Sequence, residues 1–593
     1  MLEWIFQLMK TILQFDHVSF SYHLSTGPSI HALQDVSFSI ASGEYVAIIG
    51  TNGSGKTTLA KLMNGLLLPD AGEVRVMGYP TTDRSRQANV FSRIGLVFQH
   101  ARDQIVASLV EEDTAFGPEN LSLPRSEILA RVDRSLALCG AAHLKDRQTY
   151  LLSAGETQRV ALAGVLAMQP DCLIFDETTT MLDPSSRKDL LRLMHNLNRQ
   201  GFTVLHITHD LDEVLNAERV LVLHDGRLVM DGEPRAIFQD ERALHQLRLG
   251  VPFLLHVARE LRGIFPELAS FYTNEEDLLT ALQSTPMHTS ALPRSQSLHT
   301  KIDGGSHELV RFSHVSHTYM LDTPLAHTAL EDLSFSLPQG KTVGLIGQTG
   351  SGKSTVLQHV NALLRPQQGI VESFGYDLSA PDLDVRELRK QIGLVFQNPE
   401  AQFFETYVGD EIAYAARMLG YRGKLRDLVR TSMQTVGLDF EEFVDRPLHS
   451  LSGGQKRRVA LASYLVVQPG MLLLDEPFAG LDPATHQDML DFVNTLDQQE
   501  KTFLVSTHNM RDLLALTRRV LVLHQGRLVF DGSVPDLFKQ HELASWGMDI
   551  PLEIRVGNVL RGRGWQIPLD VVDWQEIIFW LRRSAQEDSN AVL

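Results

Sequence analysis

The chain has 593 residues, well beyond the ~250–300 at which a single core stops growing, so two large domains are expected. Its composition, 43% hydrophobic and 21% charged, excludes collagen-like, disordered and disulfide-dense classes. Lys and Arg total 54 against 72 Asp and Glu, and the formal charge of −18 argues against nucleic acid as a partner, while Cys139 and Cys172 lack disulfide or zinc spacing and fit a reducing cytosol.

The opening stretch MLEWIFQLMKTILQF is apolar but carries Glu3 and Lys10 and has no small-residue cleavage site, so it is read as not a signal peptide. Nowhere do 18 or more apolar residues run uninterrupted, so a membrane role is expected to come through a partner. The run YVAIIG is a predicted strand, buried on both faces of a parallel sheet, and it leads into GTNGSGKTT at 50–58 and the predicted helix KTTLAKLMNGLL. This fits G-x-x-x-x-G-K-[ST] in its proper strand-to-helix context. Backbone N–H groups along Gly50, Asn52, Gly53, Ser54 and Gly55 wrap a β-phosphate, and Lys56 reaches the β/γ oxygens. Thr57, followed by Thr58, holds Mg²⁺.

Further along, IGLVFQ ends at Gln99, LSAGE at 152–156 precedes the predicted helix GETQRVALAGVLA, and the strand-like CLIFDE ends at Asp176 and Glu177. Asp176 is placed near the metal and Glu177 is placed to polarise the attacking water. TVLHITHD ends a third strand near His209, a candidate to contact the γ-phosphate and hold that water; His206, His224, His314 and His524 are assigned structural roles. With polar groups collected at the carboxyl ends of strands, the pattern is that of an open α/β sheet with its ligand there.

The same text then repeats at an offset of about 299 residues. GQTGSGKST supplies Gly347, Thr349, Gly350, Ser351, Gly352, Lys353, Ser354 and Thr355; IGLVFQ recurs at Gln397, LSGGQ at 451–455, and Asp475, Glu476 and His508 match the first set. Ser354 and Asp475 are the second pair of metal candidates. Even the tails match, VPFLLHVARELRG at 251–263 with IPLEIRVGNVLRG at 550–562. The Ser-, Thr- and Pro-rich stretch 284–307 reads as a flexible linker, about 25–30 Å long on average for a coil of ~24 residues. The predicted organisation is a first domain over 12–245 with an extension over 246–283, the linker, a second domain over 308–544 and its extension over 545–593. In each signature, Ser153 or Ser452 reads as a helix cap that leaves N–H groups aimed outward, and capping is compatible with phosphate binding.

With these motifs in order, the chain resembles two ATPase domains of the ABC superfamily in tandem. The resemblance covers nearly every residue outside the linker. It implies two α/β P-loop NTPase domains, each with a mixed or parallel sheet core, a helical signature subdomain and a small C-terminal extension. It also implies head-to-tail pairing of the halves, each ATP, with Mg²⁺, lying between the cradle of one half and Ser153 and Gly155, or Ser452, Gly453 and Gly454, of the other. Tyr22 and Tyr319 are implied to stack on adenine, Gln99 and Gln397 to touch Mg²⁺ and water, and Asp183 and Asp482 to communicate between halves; alone, each tyrosine reads as an ordinary strand residue.

NPEAQFF after Gln397, together with the C-terminal extension, resembles the ATPase components of energy-coupling factor importers, which take up vitamins and transition-metal ions. In them this stretch grips a helix of a transmembrane coupling protein, which works with a substrate-binding membrane protein. The first half has HARDQIV there, keeping Gln104 but not the Asn-Pro. The implied protein is peripheral, on the cytoplasmic face of the cell membrane. Alternatives are the tandem ATPase of a sugar importer, an exporter ATPase, or a soluble twin protein acting on ribosomes or nucleic acid; the acidic charge and the absence of zinc-type cysteines oppose the last.

Ala154 adds a Cβ where Gly453 has none, Glu156 adds charge near a bound anion, and Thr178 replaces Pro477. If LSAGE faces the ATP on Lys353, that site is expected to turn over more slowly than the one on Lys56. Glu177→Gln should therefore cost more steady-state ATPase than Glu476→Gln, and a larger loss from Glu476→Gln would reject the expectation.

Overall fold

The computed structural model describes residues 11–23, 29–180, 182–285, 307–323, 325–497 and 501–591. The apolar opening up to residue 10 and most of the linker predicted over 284–307 lie outside them. Among the described residues, no helix is long and apolar enough to cross a membrane.

Each half contains two sheets. In the first, the strands Ile94–Val97, Cys172–Asp176, Thr203–Ile207, Tyr45–Gly50 and Arg219–His224 lie side by side in parallel, and Arg227–Gly232 pairs antiparallel at the edge. The second half repeats the order with Ile392–Val395, Met471–Asp475, Thr502–Thr507, Thr342–Ile346, Arg519–His524 and Arg527–Ser533. Every residue of Tyr45–Gly50, Cys172–Asp176 and Thr203–Ile207 is buried, as expected of apolar runs covered on both faces.

A smaller antiparallel sheet accompanies each of these. It runs Ile30–Ala41, Thr11–Tyr22, Ala71–Val76, Tyr79–Pro80 in the first half, and His327–Pro338, Glu308–Tyr319, Gln368–Ser373, Tyr376–Asp377 in the second. Its long strands are interrupted by register shifts, which blur the two-residue alternation that would have announced them in the sequence. Three helices form the signature-bearing layer of each half: Val110–Asn120, Arg125–Leu138 and Ala154–Ala167, then Val408–Met418, Leu425–Thr435 and Gly453–Leu465.

By chain contacts the protein divides into two compact units, and the division does not follow chain order. Residues 257–270 and 275–285 group with the second unit. There Trp574 Nε1 donates to Glu260 Oε2 at 2.6 Å, Arg555 pairs with Glu275 at 2.8 Å, and the Phe265 and Trp565 rings meet edge to face at 5.1 Å. Residues 257–270 and 275–283, part of the extension predicted after the first domain, thus pack on the extension predicted after the second.

Leu205 sits fully buried in the first half's sheet, in the cluster that includes Ile48, Leu59 and Ile174. Leu205→Ala should cost about 2–5 kcal/mol, read as a lower urea midpoint for the unfolding transition of the first half.

Candidate functional site

Strand register brings the chemistry together. In the first half Asp176 lies opposite Ile207, and Ile207 opposite Ile48, two residues before Gly50. The cradle, the acidic pair and His209 therefore emerge at the carboxyl ends of three adjacent interior strands of one sheet. Gly53 and Gly55 adopt φ of 81° and 101°, and the helix Lys56–Asn64 begins directly behind them. A Cβ on Gly50 would fall 2.4 Å from the Leu223 carbonyl oxygen and 2.5 Å from Ser54 Oγ; on Gly347 it would meet Leu523 O at 2.3 Å and Ser351 Oγ at 2.5 Å. Ser54 and Ser351 hydroxyls are buried with no hydrogen-bond partner. One orphaned donor in each cradle, at a position backed by a glycine that no Cβ could replace, fits an anion.

Lys56 Nζ donates to Gly50 O at 2.9 Å and Thr51 O at 3.0 Å, and lies 3.6 Å from Glu177. Lys353 does the same with Gly347 O at 2.7 Å, Gln348 O at 3.1 Å and Glu476 at 3.7 Å. Both ammonium groups are almost fully buried, so a phosphate would have to outcompete these partners.

Glu177 and Glu476 hold left-handed backbone, φ 51° and 48°, which is unusual for glutamate and is stabilised by hydrogen bonds from their N–H groups to Ile207 O at 2.9 Å and Ser506 O at 3.1 Å. Burial works to raise both carboxyls. In the first half His209 and Lys56 outweigh it, in the second His508 and Lys353, so both glutamates are held below their ordinary range and stay ionised at neutral pH. His508 Nδ1 is 2.8 Å from Glu476 Oε2, whereas His209 Nδ1 stands 3.6 Å from Glu177 Oε2, which instead accepts from Gln99 Nε2 at 3.1 Å.

Burial and the neighbouring Glu177 charge push Asp176 up to about 6. Asp475 is likewise raised by burial, against hydrogen bonds from Ser354 and Ser506, the latter at 2.5 Å. Thr57 Oγ1 lies 3.4 Å from Asp176 Oδ1. A buried carboxylate short of positive charge, with a hydroxyl beside it, is an oxygen-donor set that suits a hard divalent cation. Among the described residues no group of three or more His, Cys, Asp or Glu is poised for a metal, so phosphate oxygens would have to complete the shell.

Tyr22 and Tyr319 leave over a third of their surface exposed, and each hydroxyl sits 3.2 Å from the second cradle threonine, Thr58 or Thr355. The signatures are capping boxes: Ser153 accepts from Glu156 N–H while Glu156 accepts from Ser153 N–H, and Ser452 and Gln455 do likewise. Gly155 and Gly454 pack where a Cβ would meet Ser186 Oγ at 2.9 Å and Thr485 Cγ2 at 2.6 Å, but nothing lies within 4 Å of a Cβ on Gly453. Within its own half, then, the position matching Ala154 is open. Glu156 is held below its ordinary range: burial opposes this, but the Ser153 hydrogen bonds and Arg147, 3.1 Å away, prevail, so part of its charge is already compensated. Asp183 caps the helix Pro184–Arg199 through Ser185 and Ser186 N–H.

The sequence does not announce what stands behind the histidines. Glu213, fully buried, accepts from Thr208 Oγ1 at 2.7 Å, Thr179 Oγ1 at 3.0 Å and Arg187 Nε at 2.6 Å, and Arg187 also pairs with Asp210 beside His209. Burial opposes its charge, yet the Arg187 guanidinium keeps Glu213 far below the carboxylate range. His206 Nε2 lies 3.3 Å from Glu213 Oε2. The second half uses a different set, His486 Nε2 with Asp512 at 2.9 Å and Asn509 with Asp512 at 3.1 Å.

The ABC transporter family model matches residues 33–180 and again 330–479. A putative ABC transporter ATP-binding protein of Methanosarcina acetivorans is 32% identical over 94% of this chain and 91% of its own length. The putative HMP/thiamine import ATP-binding protein YkoD of Bacillus subtilis is 33% identical over 90% of this chain and 94% of its own. A putative ABC transporter ATP-binding protein of Bifidobacterium longum is 34% identical over 85% of this chain, which spans only 64% of that relative's length. Among solved structures, CbiO1 from Clostridium perfringens, part of the ABC transporter complex CbiONQ, is 36% identical over 40% of this chain and 94% of its own, with a TM-score of 0.36.

A carboxyl raised from 3.8 to about 6 favours the folded state only while protonated, and that stabilisation is lost as pH rises through the window from about 4 to 6. At pH 7.5 the ionised, buried Asp176 should cost on the order of 2–3 kcal/mol without a cation. Asp176→Asn should therefore raise the urea midpoint of the nucleotide-free protein at pH 7.5, by an increment that shrinks toward pH 5, while abolishing turnover on the Lys56 cradle.

Proposed function

Since the chain belongs to the ABC transporter ATP-binding family and is an ATPase, we propose that it powers a membrane importer of the energy-coupling factor kind, carrying a vitamin or a transition-metal ion. The observation that carries the reading is an exposed aromatic patch beside the second Gln loop. Phe404 is 75% exposed and stacks on Tyr414 at 5.3 Å, with Tyr407 and Met418 also exposed. Its backbone is held firmly, since Glu411 Oε2 accepts from the N–H groups of Phe404 and Glu405 at 2.9 Å and Asn398 caps the turn Pro399–Gln402. A rigid apolar patch of this kind suits a helix of an integral membrane subunit. In the first half Asp113 holds the matching loop through Val106 and Ala107 N–H, but His100 supplies no cap and the aromatic pair is missing. The Bacillus relative, named for HMP/thiamine import, is consistent with the same reading.

The chain's own residues account for the catalytic chemistry. The cradles bind the phosphates, Lys56 and Lys353 exchange carbonyl partners for phosphate oxygens, and ionised Glu177 and Glu476 accept a hydrogen bond from the attacking water. His209 and His508, each beside its glutamate, orient that water and the γ-phosphate. Thr57, Asp176 and Gln99, with Ser354, Asp475 and Gln397 in the second half, would hold Mg²⁺, which when bound offsets phosphate charge. Pairing of the two halves around ATP, as the family resemblance implies, and location on the cytoplasmic face of the membrane complete the proposal.

Purified from membranes, the chain should bring integral membrane subunits with it. Phe404→Asp should lose most of them while leaving the ATPase of the isolated chain within about twofold. Recovery with ribosomes or nucleic acid instead, or unchanged co-purification by the variant, would overturn the reading.

A further inference from the structure

The helix Gly453–Leu465 carries a buried cation that the functional site does not explain. Arg457 is 6% exposed and lies five residues after the signature Ser452. Its guanidinium meets main-chain oxygens: Nη1 donates to Pro477 O at 2.7 Å and Ala479 O at 2.8 Å, and Nη2 to Gln397 O at 3.2 Å, while Nε is buried without a partner. Burial lowers its pKa to about 10, against the favourable charge of Glu476, so it remains a cation at neutral pH. Burying that charge on carbonyl dipoles is costly and holds only where the geometry is good.

Those three carbonyls belong to the two loops that matter for chemistry, one through Gln397 itself and the other directly following Glu476. The first half lacks this tie. Its counterpart is Gln158, 4% exposed, whose Nε2 is buried with no hydrogen-bond partner, and the hydroxyls of Thr178 and Thr180 nearby in sequence to Glu177 are orphaned too. Where the second half makes three hydrogen bonds, the first leaves polar atoms unsatisfied.

We infer that Arg457 is a positioning residue for ATP hydrolysis on the Lys353 cradle, fixing the Gln397 loop and the segment after Glu476 to the signature helix of the same half. Any movement of that helix is then transmitted to both loops at once. In the first half Gln158 Nε2 makes no such bond, and the Gln99 loop meets Glu177 only side chain to side chain, through Gln99 Nε2 to Glu177 Oε2 at 3.1 Å, with no tie to the signature helix at that position. The planar guanidinium spreads its donors over two separate nitrogens and so reaches carbonyls of two loops at once, whereas a lysine's three donors radiate from a single nitrogen and can replace the grip only in part. The inference rests on the ATPase activity and is independent of the importer reading.

The test uses the full chain carrying Glu177→Gln, so that only the Lys353 cradle keeps its carboxylate, with Arg457→Gln or Arg457→Lys added. Arg457→Gln should lower kcat at least tenfold with KM for ATP changed less than threefold, and Arg457→Lys should recover part of the loss. Hydrogen exchange without nucleotide should quicken at 397–404 and 478–481, and not in the strand Met471–Asp475. Gln158→Arg in the otherwise unaltered chain should slow exchange at 99–104 and 178–180, a readout that stands even if the Arg457 variants fold poorly. An unchanged kcat, a loss expressed wholly in KM, or exchange that rises evenly through the second half would each overturn the inference, as would unaltered exchange in Gln158→Arg.

Discussion

Each half is organised around one electrostatic constraint: a lysine ammonium and two carboxylates kept out of water at the ends of parallel strands. Lys56, Asp176 and Glu177 are each less than a tenth exposed, as are Lys353, Asp475 and Glu476. In such surroundings every charge needs a partner, and a missing one is felt as a displaced proton. The lysine is satisfied by cradle carbonyls and the glutamate, and the glutamate by lysine and histidine. The aspartate is left under-compensated. On the function proposed, a bound phosphate and cation would answer this imbalance, and the parallel strands hold the groups where they would meet them.

Around that constraint the halves differ in how their loops are tied down. The first surrounds its histidine loop with an ionic cluster, Arg187, Asp210 and Glu213, buttressed by two threonines and His206. The second replaces that cluster by His486, Asn509 and Asp512, and moves its strong anchor to Arg457 and to Ser506, whose hydroxyl links Asp475 to the Glu476 N–H. The groups proposed to react recur in both copies while their supports differ. Buried ionic clusters contribute little net stability, so their placement is better understood as fixing geometry than as strengthening the fold.

How far the sequence disclosed this follows from how local each feature is. The cradles, acidic pairs, histidines and capping boxes are contiguous strings whose chemistry is set by neighbours within a few residues, and the buried strands are apolar runs that only a doubly covered sheet accommodates. The grip of Arg457 on Gln397 and Pro477 spans 60 and 20 residues, and that of Arg187 on Glu213 spans 26; such partners share no spacing rule. The long antiparallel strands escaped because their register shifts break alternation. The packing of residues 257–270 and 275–283 with the second extension escaped because matching tails reveal duplication and not which tail meets which. Ala154 was legible as a difference from Gly453, but the space around that position was not.

The left-handed backbone at Glu177 and Glu476 also narrows how a duplicated copy can decay. Single-base changes in a glutamate codon reach aspartate, glutamine, glycine, lysine, alanine and valine. At positive φ a β-branched valine is strongly disfavoured and glycine is at ease. Genetic drift toward a silent half is thereby channelled through replacements that preserve the turn, so that a copy can lose its chemistry long before it loses its shape.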